Sequence, residues 1–495
     1  MTEYQEKTKS FRHQLDMFRF AKDLKSYGLF WEMGCGKTKP TIDKACHLFS
    51  QGKIEAMIVI APNGVHRNWA NDEIPTHMPD RFRNNMALHI YNSGKAKLKK
   101  NIAARKALLV HVGGLRVLCI SFSGIRTTIG KAFARRFMLK YKCFAVVDES
   151  QKIKSPGAKT TETVVAAGRY APYKTILSGT PITNGPFDVY SQILFLDEQF
   201  WKKRQLHPYS VFKHHFGVYL SEQQFIEERG YKPNSEDQRL VDYRNLDELQ
   251  SYLKLVTHRL TKESAGIVLP SKLYTKRYFQ LTPQQLQVYE QLMEESVAFL
   301  PESGDWLETP EAIVKITRLQ QILNGYVATE ADEPIQRIDD KNPLLDLYIE
   351  TIQDCPVKAI TWSKYTPDID FIMEALLKIG RRPVRYDGQV SDDQRELNKR
   401  AFQEGDATDF VGKPQAGATG LTLHAAETVH YYSNSYNAEH RWQSEDRAHR
   451  LGLKHSVLYF DYIAENTIAN DIINNLRKKA KLAATLLGDA KVGGV

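Results

Sequence analysis

The chain has 495 residues, about three times the size of a modal domain of ~150 residues, so two sizeable lobes are expected rather than one compact core. Hydrophobic residues make up 42% and charged residues 25%, which excludes a disordered chain. The sequence shows no apolar run of 18 residues and no apolar leader, so it predicts neither membrane insertion nor export. Five cysteines without a Cys-x-x-Cys pair exclude a disulfide framework and a cysteine-based zinc site, and favour an intracellular protein. The net charge of +10 favours a polyanionic partner such as nucleic acid.

Short apolar runs alternate with helix-like stretches in the first ~200 residues. These runs lie at residues 56–60, 117–120, 144–147 and 175–177. Continuous apolar strands separated by amphipathic segments indicate a parallel sheet with helices on both faces. The alternation returns at residues 357–361, 428–432 and 457–460. We therefore predict an α/β fold with two lobes.

The middle of the chain has a different pattern. Residues 199–340 lose the strand rhythm and gain polar-aromatic helical stretches such as 283–292, which predicts helical insertions. Residues 328–343 hold five acidic side chains and two prolines, which is typical of an exposed loop.

A glycine-rich turn follows an apolar run at residues 29–31. It reads Gly34-Cys35-Gly36-Lys37-Thr38, although Trp31 stands where the full phosphate-loop motif requires glycine. Two glycines let backbone N–H groups surround phosphate oxygens at a helix N-terminus, Lys37 would neutralise the β- and γ-phosphates, and Thr38 would ligate Mg²⁺. An ordinary strand-to-helix turn is the alternative on this fragment alone.

A second element argues against that alternative. The apolar run at residues 144–147 ends in Asp148 and Glu149. At the end of a strand, Asp148 can hold the Mg²⁺ shell while Glu149 polarises the attacking water. Paired acids at the end of a strand are common and usually just solvated. An acid pair combined with a Gly-Lys-Thr turn is much rarer, and this combination predicts hydrolysis of ATP.

Further motifs extend this pattern along the chain. They are residues 11–14, 61–63 with Trp69 and Glu73, 178–181, 257–262, 269–270 with 281–284, 416–423, 436–437 and 443–452. Their order and spacing resemble the Swi/Snf-like family of superfamily 2 helicase ATPases over roughly residues 11–460. The resemblance implies two RecA-like lobes with ATP held in the cleft between them, and it favours the annealing-helicase branch through residues 420–422.

The resemblance also assigns roles to individual residues. It implies that Gln14 reads adenine, that Ser178, Gly179 and Thr180 link hydrolysis to movement, and that Gln443 senses the γ-phosphate. It places Asn63, Ser121, Gly420 and Thr422 on loops that face nucleic acid. Independently, the spacing of Arg447 and Arg450 puts both guanidiniums on one face of a helix, where they can stabilise phosphoryl charge.

Some positions depart from the family pattern. Ser150-Gln151 replaces a small residue and histidine, Ala438 replaces proline, and Leu453 replaces glutamine. None of these changes removes a catalytic group, although Gln151 leaves open the route that couples hydrolysis to movement.

Lysine and arginine are concentrated in two clusters at residues 95–106 and 131–142, which either contact phosphates or form solvated helix faces. The predicted division is an ATP-binding lobe at 1–198, its helical protrusion at 199–265, a linker and second protrusion at 266–340, and a C-terminal lobe at 341–495.

The functional hypothesis is a nucleic-acid-dependent ATPase that moves along duplex or branched DNA, as a monomer that a protein partner targets. The alternatives are a strand-separating helicase on single-stranded DNA or RNA, and a non-hydrolysing, ATP-gated clamp.

Overall fold

The computed structural model divides the chain into two compact units. It describes residues 4–111, 113–229, 232–233, 236–294, 310–327, 335–415, 421–450 and 452–489. Of the described residues, unit 1 comprises those up to Phe216, Tyr243–Val268 and Thr485–Asp489, and unit 2 comprises those within Gly217–Asp242 and Leu269–Ala484.

The strands provide the framework of both units. They are β1 Ser26–Trp31, β2 Ala56–Ala61, β3 Ala87–Ile90, β4 Arg116–Ser121, β5 Cys143–Asp148, β6 Tyr173–Leu177, β7 Gly217–Tyr219, β8 Leu240–Tyr243, β9 Thr257–Leu260, β10 Lys272–Phe279, β11 Tyr326–Val327, β12 Gln336–Arg337, β13 Ala359–Trp362, β14 Pro383–Tyr386, β15 Asp409–Gly412, β16 Thr428–Tyr431 and β17 Val457–Ala464.

The α-helices of the described residues connect and cover these strands. They are α1 Arg12–Ala21, α2 Thr38–Ser50, α3 Val65–Asn68, α4 Ile74–His77, α5 Asp80–Arg83, α6 Lys99–Val110, α7 Phe122–Arg126, α8 Thr128–Lys140, α9 Lys159–Gly168, α10 Val189–Leu196, α11 Tyr209–Phe216, α12 Glu222–Arg229, α13 Leu246–Val256, α14 Pro283–Glu294, α15 Pro310–Leu323, α16 Pro343–Asp354, α17 Thr366–Lys378, α18 Asp392–Gln403, α19 Ala438–Ala448 and α20 Ile468–Leu487.

Unit 1 contains a seven-stranded parallel sheet in the order β3-β4-β2-β5-β6-β1-β9. Every residue of β2 and β5 is buried, because helices cover both faces of the sheet. Met57 and Val59 pack in one cluster with Met17 of α1 and Ile42 of α2. The continuous apolar runs in the sequence reflect this two-sided burial.

Unit 2 contains a six-stranded parallel sheet in the order β10-β17-β16-β13-β15-β14. Its two faces carry separate apolar clusters. Ile369 and Ile372 of α17 belong to one of them, and Trp362 and Phe410 to the other. Two parallel sheets flanked by helices confirm the predicted α/β class.

The prediction of a helical region between residues 199 and 340 is wrong at six strands, β7 to β12, of which two extend the large sheets. Thr257–Leu260 forms β9, the edge strand beside β1, and Lys272–Phe279 forms β10, the edge strand beside β17. Both strands carry polar side chains because edge positions are only partly covered. The predicted exposed loop at residues 328–343 lies partly outside the described residues and includes the two-residue strand β12.

The segment Thr485–Asp489 is an integral part of unit 1. Arg259 of β9 donates to Asp489 through Nε at 2.9 Å and Nη2 at 2.7 Å, and through Nη1 to the Phe30 carbonyl at 2.9 Å. Gln250 donates to the Thr485 carbonyl at 3.0 Å. These bonds fix the pentapeptide against the edge strand β9 of the first sheet, and Arg259 also ties β9 to β1.

Candidate active site

The glycine-rich segment at residues 32–37, here called the phosphate loop, connects β1 to α2. Gly34 and Gly36 adopt positive φ values of 86° and 70°, which favour glycine. A Cβ atom at Gly36 would lie 2.2 Å from Nε2 of Gln14, which donates to the Gly36 carbonyl at 2.9 Å. The structure therefore places Gln14 against the phosphate loop, and its predicted contact with adenine stays a prediction.

Lys37 and Thr38 lie where the chain enters α2. Lys37 precedes the first helical residue, Thr38, and its ammonium donates to the Trp31 carbonyl at 2.9 Å. The N-terminus of a 13-residue helix and the ammonium together favour an anion. Burial raises the pKa of the neighbouring Cys35 to about 11, so this residue is a neutral thiol at physiological pH.

Asp148 ends β5 and is held by two hydrogen bonds. The Trp69 indole donates to Oδ2 at 2.8 Å, and the Glu149 backbone N–H donates to Oδ1 at 3.0 Å. Burial raises the pKa of Asp148, and the Trp69 bond and the nearby Lys37 charge oppose that rise. A carboxylate and the Thr38 hydroxyl are oxygen donors of the kind Mg²⁺ prefers, so these residues fit a Mg²⁺ site.

Gln151 bridges Glu149 to the loop after β6. Its Nε2 donates to Glu149 Oε2 at 2.7 Å, and its Oε1 accepts from Ser178 Oγ at 2.6 Å. Glu149 itself has a φ of 56°, an unusual conformation for a residue other than glycine. Gln151 thus provides a physical route between Glu149 and Ser178, the connection that the sequence left open.

Gly179 and Thr180 complete this loop. A Cβ atom at Gly179 would lie 2.8 Å from Cγ and 3.2 Å from the backbone N of Met33, in the phosphate loop. The Thr180 N–H donates to Ser178 Oγ at 3.0 Å. The loop after β6 therefore packs directly on the phosphate loop, because only glycine permits so close an approach.

In unit 2, the helix that carries Arg447 ends earlier than the arginine spacing predicts. α19 stops at Ala448, so Arg450 lies beyond it and the expectation of a shared helix face is wrong. The Arg447 carbonyl lies in the last turn of α19, where carbonyls lack an intrahelical partner, and it accepts from the Leu423 N–H at 2.8 Å. Both guanidiniums nevertheless meet one loop: Arg447 bonds the Leu421 carbonyl at 3.4 Å and Arg450 bonds Thr422 Oγ1 at 3.2 Å.

A buried cluster of ion pairs links α19 to strands β10 and β17. Arg441 is fully buried over the Tyr431 ring, with its guanidinium carbon 3.5 Å from the ring centroid. It bonds Glu445 at 2.7 Å, and it also bonds both carboxylate oxygens of Asp461. Lys272 lies 2.8 Å from Glu445, so two cations balance two carboxylates. Gln443, on the same helix, is buried and donates to Glu439 at 2.9 Å.

Two of the loops that the resemblance assigns to nucleic acid are connected by hydrogen bonds. Ser123 donates to Asn63 Oδ1 at 3.0 Å, and its hydroxyl lies 3.0 Å from that of Ser121. Asn63 follows β2 and Ser121 ends β4, so both sit at the carboxyl edge of the first sheet. Thr422 lies in unit 2, and Gly420 is outside the described residues.

Sequence reasoning missed two residues of this arrangement. It treated Trp69 only as part of a motif, and it did not identify Ser123. Their partners are far along the chain, at separations of 79 and 60 residues, so no local spacing reveals them. A buried tryptophan usually needs a partner for its indole N–H, which is the one available signal for Trp69.

Other possible sites are accounted for within the described residues. No group of three His, Cys, Asp or Glu side chains there has the geometry to hold a metal ion, and His215 pairs with Glu248 at 2.7 Å. In the same part of the chain, no helix combines the length and apolarity needed to cross a membrane.

Comparison with known families agrees with this geometry. The model described as "SNF2-related domain" matches residues 16–327, and the model described as "Helicase conserved C-terminal domain" matches residues 342–452. The first match alone covers more than half of the chain.

Individual relatives are similar at low identity. An ISWI chromatin-remodeling complex ATPase, CHR17, from Arabidopsis thaliana is 24% identical over 470 residues, covering 93% of this chain and 40% of the relative. The human SWI/SNF-related matrix-associated actin-dependent regulator of chromatin subfamily A member 1 is 23% identical over 473 residues, covering 93% and 42%. The chain thus spans about two fifths of these curated relatives. The Sulfolobus solfataricus SWI2/SNF2 ATPase core in complex with dsDNA is 20% identical, with a TM-score of 0.42 and coverage of 99% and 95%.

Proposed function

Because the chain belongs to the family defined by the SNF2-related domain, we propose that it is a DNA-dependent ATPase that couples ATP hydrolysis to movement along duplex or branched DNA. The observation that carries this proposal is the convergence at one sheet edge of the phosphate loop after β1, the Ser178 loop after β6 and the Asp148-Glu149 pair at β5. These three strands are adjacent in the sheet, so their carboxyl ends lie side by side.

The proposed chemistry assigns one task to each side chain. Lys37 and the N-terminus of α2 bind the triphosphate, and Thr38 and Asp148 hold Mg²⁺. When bound, Mg²⁺ neutralises charge on the phosphate oxygens. Glu149 accepts a hydrogen bond from the attacking water and orients it. Gln443 senses the γ-phosphate, and the Arg447 and Arg450 guanidiniums neutralise the charge that develops on the transferring phosphoryl group.

The distribution of charge supports nucleic acid as the partner. Between Arg81 and Val147 the chain has 15 Lys and Arg and no Asp or Glu, while the remaining residues carry 53 basic against 58 acidic side chains. The excess positive charge therefore comes from one segment, which contains α6 and α8. These helices lie side by side, since Arg105 covers the Phe133 ring at 5.8 Å and Lys140 donates to the Leu109 carbonyl at 2.7 Å.

The outer faces of α6 and α8 form a surface suited to phosphates. Lys99, Lys106, Lys131 and Arg136 are exposed there, and no carboxylate of the described residues lies within 4 Å of them. The exposed large apolar side chains of both helices are aliphatic. Single-stranded nucleic acid is usually bound by stacking on exposed aromatic rings, so this surface favours the backbone of a duplex.

The activity is tested by measuring phosphate release with duplex, forked and single-stranded DNA and with RNA. We expect stimulation by duplex or forked DNA, and we expect Glu149→Gln to bind ATP but lose turnover by several orders of magnitude. Greater stimulation by single-stranded nucleic acid would indicate a strand-separating helicase instead. Phosphate release by Glu149→Gln at the wild-type rate would refute the assignment of this residue.

The DNA surface is tested separately with a triple variant, Lys99→Gln, Lys131→Gln and Arg136→Gln. If all three residues contact phosphates, the slope of log affinity against log salt should become about 3 units shallower. The matched control is Lys25→Gln, Lys159→Gln and Lys202→Gln, which removes the same charge from exposed positions elsewhere in unit 1. Equal salt slopes for the two triple variants would exclude this surface.

A further inference from the structure

Trp69 makes a direct contact with the carboxylate that the proposed function assigns to Mg²⁺. Its side chain is 1% exposed, and its indole N–H donates to Asp148 Oδ2 at 2.8 Å. The Glu149 N–H occupies Oδ1, so each carboxylate oxygen is oriented by one donor and keeps a further lone pair. A neutral donor of this kind fixes the direction of the carboxylate without cancelling its charge.

An irregular turn delivers Trp69 to this position. Residues Trp69–Glu73 form a π-helical turn between α3 and α4, and the Ile74 N–H donates to the Trp69 carbonyl five residues earlier. Asn68 and Glu73 are joined across the turn by a side-chain hydrogen bond of 3.4 Å. Such wide turns are rare and occur frequently at functional sites.

The same segment begins at a loop that the proposed function places against DNA. Asn63 accepts a hydrogen bond from Ser123 and is followed by Gly64, which has a φ of 86° and starts α3. The Arg67 and Asn68 N–H groups both donate to the Gly64 carbonyl, which makes α3 a single closed turn. Only this turn separates Asn63 from Trp69 along the chain, so the loop and the indole are joined by one short hydrogen-bonded segment.

We infer that Trp69 is a positioning residue that couples DNA contact at Asn63 to the orientation of Asp148, and hence to binding of the Mg²⁺-nucleotide. The inference rests on the proposed function, because it takes the loop after β2 as a DNA contact and Asp148 as a metal ligand. Coupling of this kind is reciprocal: the factor by which DNA tightens Mg²⁺-nucleotide binding equals the factor by which Mg²⁺-nucleotide tightens DNA binding.

The test measures both halves of this reciprocity without turnover. The affinity for a fluorescent duplex is determined by anisotropy with and without Mg²⁺-ADP, and the affinity for Mg²⁺-ADP is determined by calorimetry with and without the duplex. For the wild type we expect one coupling factor, in the range of about 5-fold to 150-fold, from both measurements. Trp69→Phe keeps an aromatic ring but removes the indole N–H, and it should reduce this factor to near unity while duplex affinity without nucleotide stays close to wild type.

Two controls separate positioning from general damage. Trp201→Phe makes the same change at another buried tryptophan of unit 1, whose indole donates to the Tyr190 carbonyl at 2.9 Å, and it should retain the coupling factor. Replacement of Trp69 by benzothienylalanine preserves the bicyclic ring while removing the donor, and it should abolish coupling as Trp69→Phe does. Loss of a partner that orients a metal ligand typically weakens metal affinity by about 10-fold to 100-fold, so the Mg²⁺ dependence of ADP binding should also weaken.

The outcomes distinguish a failure of the role inferred for Trp69 from a failure of the proposed function. A wild-type coupling factor that survives in both Trp69 variants overturns the role of Trp69 and leaves the proposed function intact. A wild-type protein whose nucleotide and duplex bind independently overturns the inference alone, because DNA can stimulate kcat without changing binding of Mg²⁺-ADP. A wild-type protein that binds no duplex, or that releases no phosphate with any DNA, overturns the proposed DNA-dependent ATPase together with the inference.

Discussion

Replacing Gln151 tests whether the bridge between Glu149 and Ser178 contributes to hydrolysis. Gln151→Leu removes a hydrogen bond of 2.7 Å to a carboxylate and one of 2.6 Å from a buried hydroxyl. A hydrogen bond to a charged group contributes about 1.5–3 kcal/mol. If about 2 kcal/mol of that orients Glu149 in the transition state, kcat falls about 30-fold. KM should change little, because Lys37 and Thr38 are untouched.

The assay is steady-state ATP hydrolysis at saturating duplex, with kcat and KM measured separately. Gln192→Leu is the matched control, since Gln192 is equally buried in unit 1 but bonds Ser150 and backbone carbonyls rather than Glu149. It should lower stability while leaving kcat nearly intact. A Gln151→Leu enzyme with wild-type kcat, or one no slower than Gln192→Leu, would contradict the role of the bridge.

Gln151→His refines this test through its pH dependence. A neutral imidazole can donate to Glu149 and accept from Ser178, as the amide does. Below the ordinary histidine pKa of about 6.5, the imidazolium has no acceptor left for Ser178. The variant should therefore lose kcat on the acid side of that value, whereas the amide of the wild type adds no such acid limb. Identical pH profiles for the two proteins would refute the two-sided bridge.

Two further predictions concern stability. Burial raises the pKa of Asp368 to about 7. The stability that this group contributes is therefore fully present below its unfolded pKa of about 3.9 and is lost as pH rises through 7. The free energy of unfolding should fall by up to about 4 kcal/mol over that interval. Pulse proteolysis in urea should show unit 2 weakening over that interval, and Asp368→Asn should flatten the dependence; an unchanged slope would exclude Asp368 as its source. Lys39 is buried between Glu6 at 3.0 Å and Asp43 at 2.7 Å, so Lys39→Met should destabilise unit 1 by about 3–5 kcal/mol, and adding Asp43→Leu should recover much of that loss. Equal stability of the single and double variants, measured in the same way, would contradict the buried pair.

Sequence patterns predicted the parts of the fold that local chemistry determines. The buried strands β2 and β5 are continuous apolar runs, and the phosphate loop and the Asp148-Glu149 pair are short motifs at the ends of strands. The edge strands β9 and β10 escaped prediction because pairing with a single neighbour tolerates polar residues such as His258 and Lys276, which erase the apolar signal.

The contacts that organise the site are harder to predict, because they join distant parts of the chain. α19 ends at Ala448, before Arg450, and the Leu423 N–H bonds the Arg447 carbonyl in the last turn, an arrangement that the spacing of two arginines does not encode. The bond between Trp69 and Asp148 likewise depends on how a π-helical turn meets a strand 79 residues away. Motifs identify which residues take part, and tertiary packing decides what each of them touches.

The contribution of Thr485–Asp489 to unit 1 determines how a nucleotide-binding fragment should be prepared. A polypeptide that stops at Val268 includes Arg259 but not Asp489, and so leaves a largely buried guanidinium, 17% exposed, without its bidentate carboxylate next to β1. Such a fragment should be less soluble and less stable than one to which the pentapeptide is restored by a linker or added as a synthetic peptide. Recovery of folding upon addition of the peptide would offer a simple complementation assay for this edge of the sheet.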